Sequence, residues 1–322
     1  MITCKICGNQ ANNRIFVVKE MMLGLKEEHE YVECSECGCL QIRNIPSNLQ
    51  KYYPSGYYSL EAKGESDIIQ NSFLKSIKRR LKHRLLDYYL QKNRLVTRLF
   101  SSRYGDNYPW IKKNTINSST RILDVGCGWG DLLLRMRRDG FKSLTGIDSF
   151  IDQDIHYQCG VTVYKRPITE FTGKYDMVMM HHSFEHMDQP LQVLVKIYSL
   201  LSDNGFVIIR IPVMGGFAWK KYGVNWVQLD APRHFFLHTV KSLKILCDQS
   251  GFEISDFVYD SNALQFIGSE KYLRNISLTE KANIFSRKSI RELTKEAVRL
   301  NAANDGDQAC FYLYKKGDIS AN

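Results

Sequence analysis

The chain has 322 residues, 44% of them apolar, and a formal charge of +10. This length and apolar content suit one large domain with a small accessory one and exclude a chain dominated by disorder. It has no run of eighteen apolar residues, and the start MITCKICGNQ lacks the basic and apolar stretches of a secretory signal, so a cytoplasmic protein is expected.

The first element is a cysteine framework. Five of the nine cysteines fall within the first 39 residues, while Cys127, Cys159, Cys247 and Cys310 are scattered singly. Cys4-x-x-Cys7-Gly8 and Cys34-x-x-Cys37-Gly38 are matching knuckles with 26 residues between them. Each lets two thiolates grip one ion from a tight turn that the following glycine relieves, and two knuckles complete a tetrahedron. The spacing predicts a structural zinc ribbon over residues 1–45, with Cys4, Cys7, Cys34 and Cys37 as ligands. Cys39 is a fifth thiol, read as a bystander.

Residues 46–118 form a connecting segment. NLQKYYPSGYYSL (48–60) carries four tyrosines that either line a substrate entrance or pack the ribbon against the next domain. From Lys75 to Arg103 there are ten Lys or Arg against one acid, Asp87, which accounts for most of the net charge. Leu74, Ile77, Leu81, Leu85 and Tyr88 recur at three- and four-residue spacing, predicting a helix with one apolar face. The helix either packs that face and solvates its charges or meets an anionic partner. Such a partner is a nucleotide-linked substrate, a nucleic acid, or lipid headgroups touched peripherally through residues 74–103.

Over residues 119–318 strands and helices alternate. RILDVG is an apolar strand entering a glycine turn, WGDLLLRMRRDG an amphipathic helix, and SLTGID a second strand ending in an acid. VTVYK, KYDMVMMHH and GFVIIRIP follow, with a helix from about Gln189 to Leu201. This order predicts an α/β fold with a mostly parallel sheet covered on both faces by helices and ligands at the strands' carboxyl ends. Gly126-Cys127-Gly128-Trp129-Gly130 lies between strand and helix, where backbone amides receive a carboxylate at close range. Asp148, 18 residues beyond Gly130, is placed to bind ribose hydroxyls. A carboxylate at one end and a ribose at the other describe S-adenosylmethionine better than a dinucleotide.

LDVGCGWGDLL, TGID, YDMVMMHHSFEHMDQPL and LLSDNGFVIIRIP together resemble the class I S-adenosylmethionine-dependent methyltransferases in order and spacing. The resemblance implies a Rossmann-like fold in which Asp124 and the glycine turn, Cys127 and Trp129 included, meet the methionine end of the cofactor and Asp148 the ribose. His181 is counted among the cofactor contacts, and Thr169 or Glu170 is a weaker candidate for the adenine. HTVKSLKILCDQSGFEI (238–254) is expected to be a helix leading through Gly251 into a strand, and DQACFYLYKK an antiparallel closing strand. The intervening residues 260–306 read as a helical insert, which in such enzymes commonly covers the acceptor site.

His182-Ser183-Phe184-Glu185-His186 spells H-x-x-E-H, a zinc-peptidase pattern, but it follows an apolar strand and opens the next helix of a quite different fold. Two readings remain. Glu185 and His186 organise the loop, or His182, Glu185 and His186 hold a second divalent metal. The latter draws on a similar E-x-x-E-H in ubiquinone-pathway O-methyltransferases, with His182 favouring a softer ion than magnesium.

Methyl transfer from a sulfonium needs the acceptor held in line and, for an alcohol, its proton removed. His181, His182 and His234 are the candidate bases, with Asp230 to orient His234 and Arg233 to bind an anionic group. The alternative for Asp230, Arg233 and His234 is a loop staple. Asp230-x-Pro232-Arg233-His234 resembles a loop of methyltransferases of bacterial surface-polysaccharide and nucleotide-sugar pathways, some of which share the ribbon and the tyrosine-rich segment. That points to an anionic small-molecule or glycan acceptor, a sugar hydroxyl or sugar phosphate, as the expected substrate of O-methylation. The alternatives are an RNA methyltransferase, a C-methyltransferase on a keto-sugar, and a non-catalytic cofactor-binding module.

Overall fold

A computed structural model describes residues 2–54, 73–91, 108–111 and 115–317, with side chains from residue 81 onward in the second of these stretches. Tyr57, Tyr58 and the basic residues from Lys92 to Arg103 lie outside the described residues. The chain divides into two compact units. The first comprises Met1–Ser55, His182–Tyr198 and Ile208–Asn322, and the second Gly56–His181 and Ser199–Val207. Among the described residues no helix is long and apolar enough to cross a membrane.

The first unit opens with antiparallel strands β1 (Arg14–Lys19), β2 (Glu28–Glu33) and β3 (Leu40–Ile42). Gly8 N–H bonds Cys4 O at 3.0 Å and Gly38 N–H bonds Cys34 O at 2.9 Å, with φ of 77° and 70° at the two glycines. Both knuckle glycines are thus in the left-handed region that their position in the motif predicts. Of the tyrosine-rich segment, Tyr52 is buried and its hydroxyl donates to Glu27 Oε2 at 2.7 Å, so it packs on the β1–β2 hairpin.

The second unit begins with α1 (Phe73–Leu90), and here the sequence reading is corrected. Leu81 and Tyr88 of the expected apolar face are exposed, and Leu86, Tyr89 and Leu90 are buried instead. The two sets share helical spacing, so the period identifies the helix without selecting its inner face. Lys82 Nζ donates to Arg138 O at 3.2 Å, and His83 Nδ1 bonds Gly140 O. Those carbonyls end α2 (Asp131–Asp139), where cations complement the helix dipole.

The sheet of this unit uses β4 (Arg121–Val125), β5 (Ser143–Ile147), β6 (Ile155–His156), β7 (Thr162–Tyr164), β8 (Tyr175–His181) and the first half of β9 (Leu201–Pro212). Their order is β9-β8-β4-β5-β7-β6, with β8, β4, β5 and β7 parallel and β6 antiparallel. Ile122, Leu123 and Met177 to Met180 are all fully buried. Unbroken apolar runs of this kind belong to strands covered on both faces, which is the expected Rossmann-like arrangement.

The rest of the first unit holds the second half of β9, β10 (Phe236–Leu237), β11 (Phe252–Tyr259) and β12 (Gln308–Lys315). β12 is antiparallel to β11 in the order β11-β12-β9. The predicted helix before Gly251 is Val240–Ser250, closed at its start by a reciprocal Thr239–Ser242 capping box and ended by Gly251 at φ 83°. The insert supplies helices Leu264–Leu273 and Arg287–Ala302. β10 pairs antiparallel with β3, Phe236 opposite Gln41, which adds a fourth strand to the ribbon's sheet.

Candidate functional site

β4 turns immediately after Val125. Gly126 and Cys127 N–H both reach Ile147 O, at 2.8 and 3.3 Å, and Gly130 N–H closes on Cys127 O at 3.0 Å. Gly126, Gly128 and Gly130 have φ of 76°, 54° and 83°, values that only glycine adopts freely. Asp148 fixes the turn: Oδ2 accepts Gly128 N–H and Oδ1 accepts Phe150 N–H, each at 2.8 Å. Two residues that the sequence reading missed support it. A Cβ on Gly146 would meet Cys127 Sγ at 2.4 Å, and the Tyr157 hydroxyl donates to Trp129 O at 2.5 Å.

Asp124 is buried beside this turn. Burial, and then the charge of Asp148, push its pKa up to about 8. A cation near both carboxylates would offset these effects, so the donor set fits a ligand carrying an ammonium and a sulfonium. Gly126 is exposed and Trp129 half-buried, whereas burial encloses the Cys127 thiol and pushes it up. Thr169 and Glu170 are exposed on a 3₁₀ turn. The His181 ring lies 4.5 Å from that of Trp110, tilted by 57°.

In the ribbon, Cys4 and Cys37 Sγ are 3.7 Å apart, and Cys7 and Cys34 Sγ 3.4 Å apart. All four sulfurs lie within 4.8 Å of one another. The adjacent Cys37 thiol pulls the Cys4 thiol well below its usual range. These sulfurs fit tetrahedral zinc without an open position. Cys39 is buried outside the group, with Sγ 3.9 Å from Leu40 O.

H-x-x-E-H does not open a helix, contrary to expectation: Phe184–His186 is a separate 3₁₀ turn, and the next helix starts at Pro190. His182 has φ 52°, a strained value for a non-glycine residue. Its Nε2 is 3.2 Å from Arg210 Nη1, and Arg210 Nε donates to Asp260 Oδ2 at 2.5 Å. Its Nδ1 is 3.4 Å from Glu185 Oε1. Burial raises the pKa of Glu185, but the facing His182, His186 and His234 outweigh it and hold it at about 2.

Glu185, His186 and His234 offer ligand atoms all within 4.8 Å of one another. His234 therefore takes the place expected of His182 in that group, because the His182 ring turns to Arg210. His234 Nδ1 donates to Gln228 O at 2.8 Å, and its Nε2 is 3.8 Å from both Glu185 Oε1 and Asp230 Oδ2. Burial, then His186, pushes His234 down to about 4, so it is neutral. The orienting bond expected from Asp230 comes instead from the Gln228 carbonyl.

Arg233 has no face open to a ligand. It is fully buried, with Nη2 2.8 Å from Glu20 Oε1 and 2.6 Å from Asp230 Oδ1, and Nε 2.9 Å from Asp230 Oδ2. Its Nη1 donates to Tyr52 O at 3.3 Å. The anion-binding role expected of Arg233 is corrected accordingly: two carboxylates of the chain already answer its charge. Glu20, which also accepts Leu23 and Leu25 N–H at 2.9 Å each, was missed.

A family pattern described as "Methyltransferase domain" matches residues 74–256. The chain is 25% identical over 164 residues to a tRNA U34 carboxymethyltransferase of Sulfurimonas denitrificans, covering 47% of this chain and 54% of that one. It is 31% identical over 154 residues to a ubiquinone biosynthesis O-methyltransferase of Bordetella avium, covering 42% of this chain and 63% of that one. The chain thus spans little more than half to under two thirds of these relatives. A solved methyltransferase structure from Archaeoglobus fulgidus aligns over 68% of this chain and 94% of its own, at 21% identity and TM-score 0.41.

Proposed function

Because the chain belongs to the methyltransferase-domain family, whose pattern spans residues 74–256, we propose that it moves a methyl group from S-adenosylmethionine to a hydroxyl of a saccharide or sugar-phosphate acceptor. The observation that carries the cofactor reading is the glycine turn pinned by Asp148 at Gly128 N–H, 2.8 Å, with Asp124 buried beside it. Gly126, Gly128 and Gly130 give backbone access, Asp124 faces the cofactor's cationic end, and Asp148 its ribose. Trp129, Thr169 and His181 complete the assignment. The saccharide reading draws on the Asp230–His234 loop and its resemblance. The ribbon cysteines Cys4, Cys7, Cys34 and Cys37 are assigned a structural zinc.

The bound cofactor supplies an electrophilic methyl on sulfur. An acceptor hydroxyl receiving that methyl would have to give up its proton to a base of the chain. His182 is assigned that role: its side chain is 33% exposed, and Nε2, now 3.2 Å from Arg210 Nη1, is the nitrogen that would take the proton once turned from Arg210. Asp230, Arg233 and His234 act behind it by fixing the loop.

A second reading, an RNA acceptor, is favoured by similarity to the Sulfurimonas protein. Incubation with methyl-labelled S-adenosylmethionine and either nucleotide-sugars and glycans or transfer RNA separates the two. Label in the saccharide fraction is expected. Label in RNA alone would overturn the acceptor assignment, and label in neither, with the cofactor bound, would favour a non-catalytic module.

A further inference from the structure

Glu185 is fully buried, and neither of its oxygens accepts a hydrogen bond among the described residues. The nearest imidazole nitrogen, His182 Nδ1, stands 3.4 Å from Oε1 outside hydrogen-bond geometry. A buried anion is retained only if something positive or protic answers it. The two neighbouring histidines face it as acceptors. His186 Nδ1 is 2.8 Å from Arg233 O, and His234 Nδ1 is 2.8 Å from Gln228 O. A carbonyl can only accept, so in each neutral ring Nδ1 carries the proton and Nε2 keeps its lone pair. His234 Nε2 lies 3.8 Å from Glu185 Oε1.

Glu185, His186 and His234 each offer a ligand atom, all within 4.8 Å of one another. Each histidine has the Nδ1–H to carbonyl contact that orients ligating histidines in metal sites. We infer that Glu185, His186 and His234 form a second metal site for a divalent first-row transition ion of the zinc type. Two imidazoles with one carboxylate suit such an ion, whereas magnesium and calcium favour all-oxygen sets. His182 stays outside, its Nε2 turned to Arg210 Nη1 at 3.2 Å. Three protein ligands leave a fourth position for a water or another oxygen ligand.

The site stands whether or not the chain transfers methyl groups, and the test counts metal. Full-length protein is incubated with excess zinc, desalted and assayed for bound metal alongside Glu185→Gln and His186→Asn. Two equivalents are expected in the wild type and one in each variant. Circular dichroism checks folding, and the partly exposed His186 gives a variant less prone to collapse than Glu185→Gln. Cobalt separates the two sites: the ribbon gives sulfur-to-cobalt charge transfer, while the second equivalent adds only weak d–d absorption. A wild type with no more metal than the two variants, or a second equivalent that raises the charge-transfer band, overturns the proposal.

Discussion

The Tyr31 hydroxyl donates to the His234 carbonyl at 2.8 Å, although 203 residues separate them in the chain. The bond is one of several that tie the ribbon to the Asp230–His234 loop. Glu20 grips Arg233 from the end of β1, and the Thr239 hydroxyl donates to Cys37 O at 2.5 Å. Gly38 is held against Thr239 so closely that a Cβ there would come within 2.9 Å of its Cγ2. The cysteine knuckles and the backbone that carries His234 are therefore joined by hydrogen bonds and by the β3–β10 pairing.

Cys34→Ser should therefore release the ribbon metal and loosen residues 230–239 as well. Hydrogen exchange should quicken at Phe236 and Leu237, whose strand pairs with β3. Loss of metal with unchanged exchange in β10 would separate ribbon from loop.

The Glu20–Arg233–Asp230 triad is buried, with side-chain exposures of 0%, 0% and 13%. Glu20→Gln leaves Arg233 with one carboxylate and is expected to cost roughly 3–5 kcal/mol in urea unfolding, the range for breaking a buried pair from one side. Replacing Arg233 and both acids together with apolar residues should cost less than that single change, since no charge is then stranded.

Asp124 sets a pH dependence. Its pKa is raised from 3.8 to about 8, by burial and then by Asp148, so its contribution to stability is full below about 4 and is lost as pH rises through about 8. Melting temperature of the ligand-free protein should fall between about pH 4 and 8 and level off above that. Asp124→Asn should flatten that fall, and an unchanged slope in the variant would remove Asp124 as its source.

His182→Ala is expected to lower kcat by about 10²–10⁴ with cofactor affinity retained. A variant with normal kcat would transfer that role elsewhere.

Much of this was legible from local chemistry. The two Cys-x-x-Cys-Gly turns declare themselves because ligand spacing and left-handed glycines are set within five residues. The glycine turn between β4 and α2 is equally local, and Asp148 follows from its place at a strand end. The inner face of α1 was not legible, because Leu81 with Tyr88 and Leu86 with Leu90 fit the same period. Nor was the partner of Arg233. Glu20 is one acid just past the end of β1, and nothing near it in the chain signals a guanidinium 213 positions away. His234 stands out as chemically important, but its link with Glu185 and His186 exists only once two segments 48 positions apart have folded together.

The glycine turn and Asp148 are assigned to S-adenosylmethionine, and calorimetric titration with S-adenosylhomocysteine tests that assignment most directly. The wild type should bind one equivalent at micromolar affinity, and Asp148→Ala should lose binding while keeping its circular dichroism spectrum. A wild type that does not bind, or an Asp148→Ala protein that binds equally well, would contradict the assignment of this turn as the cofactor site.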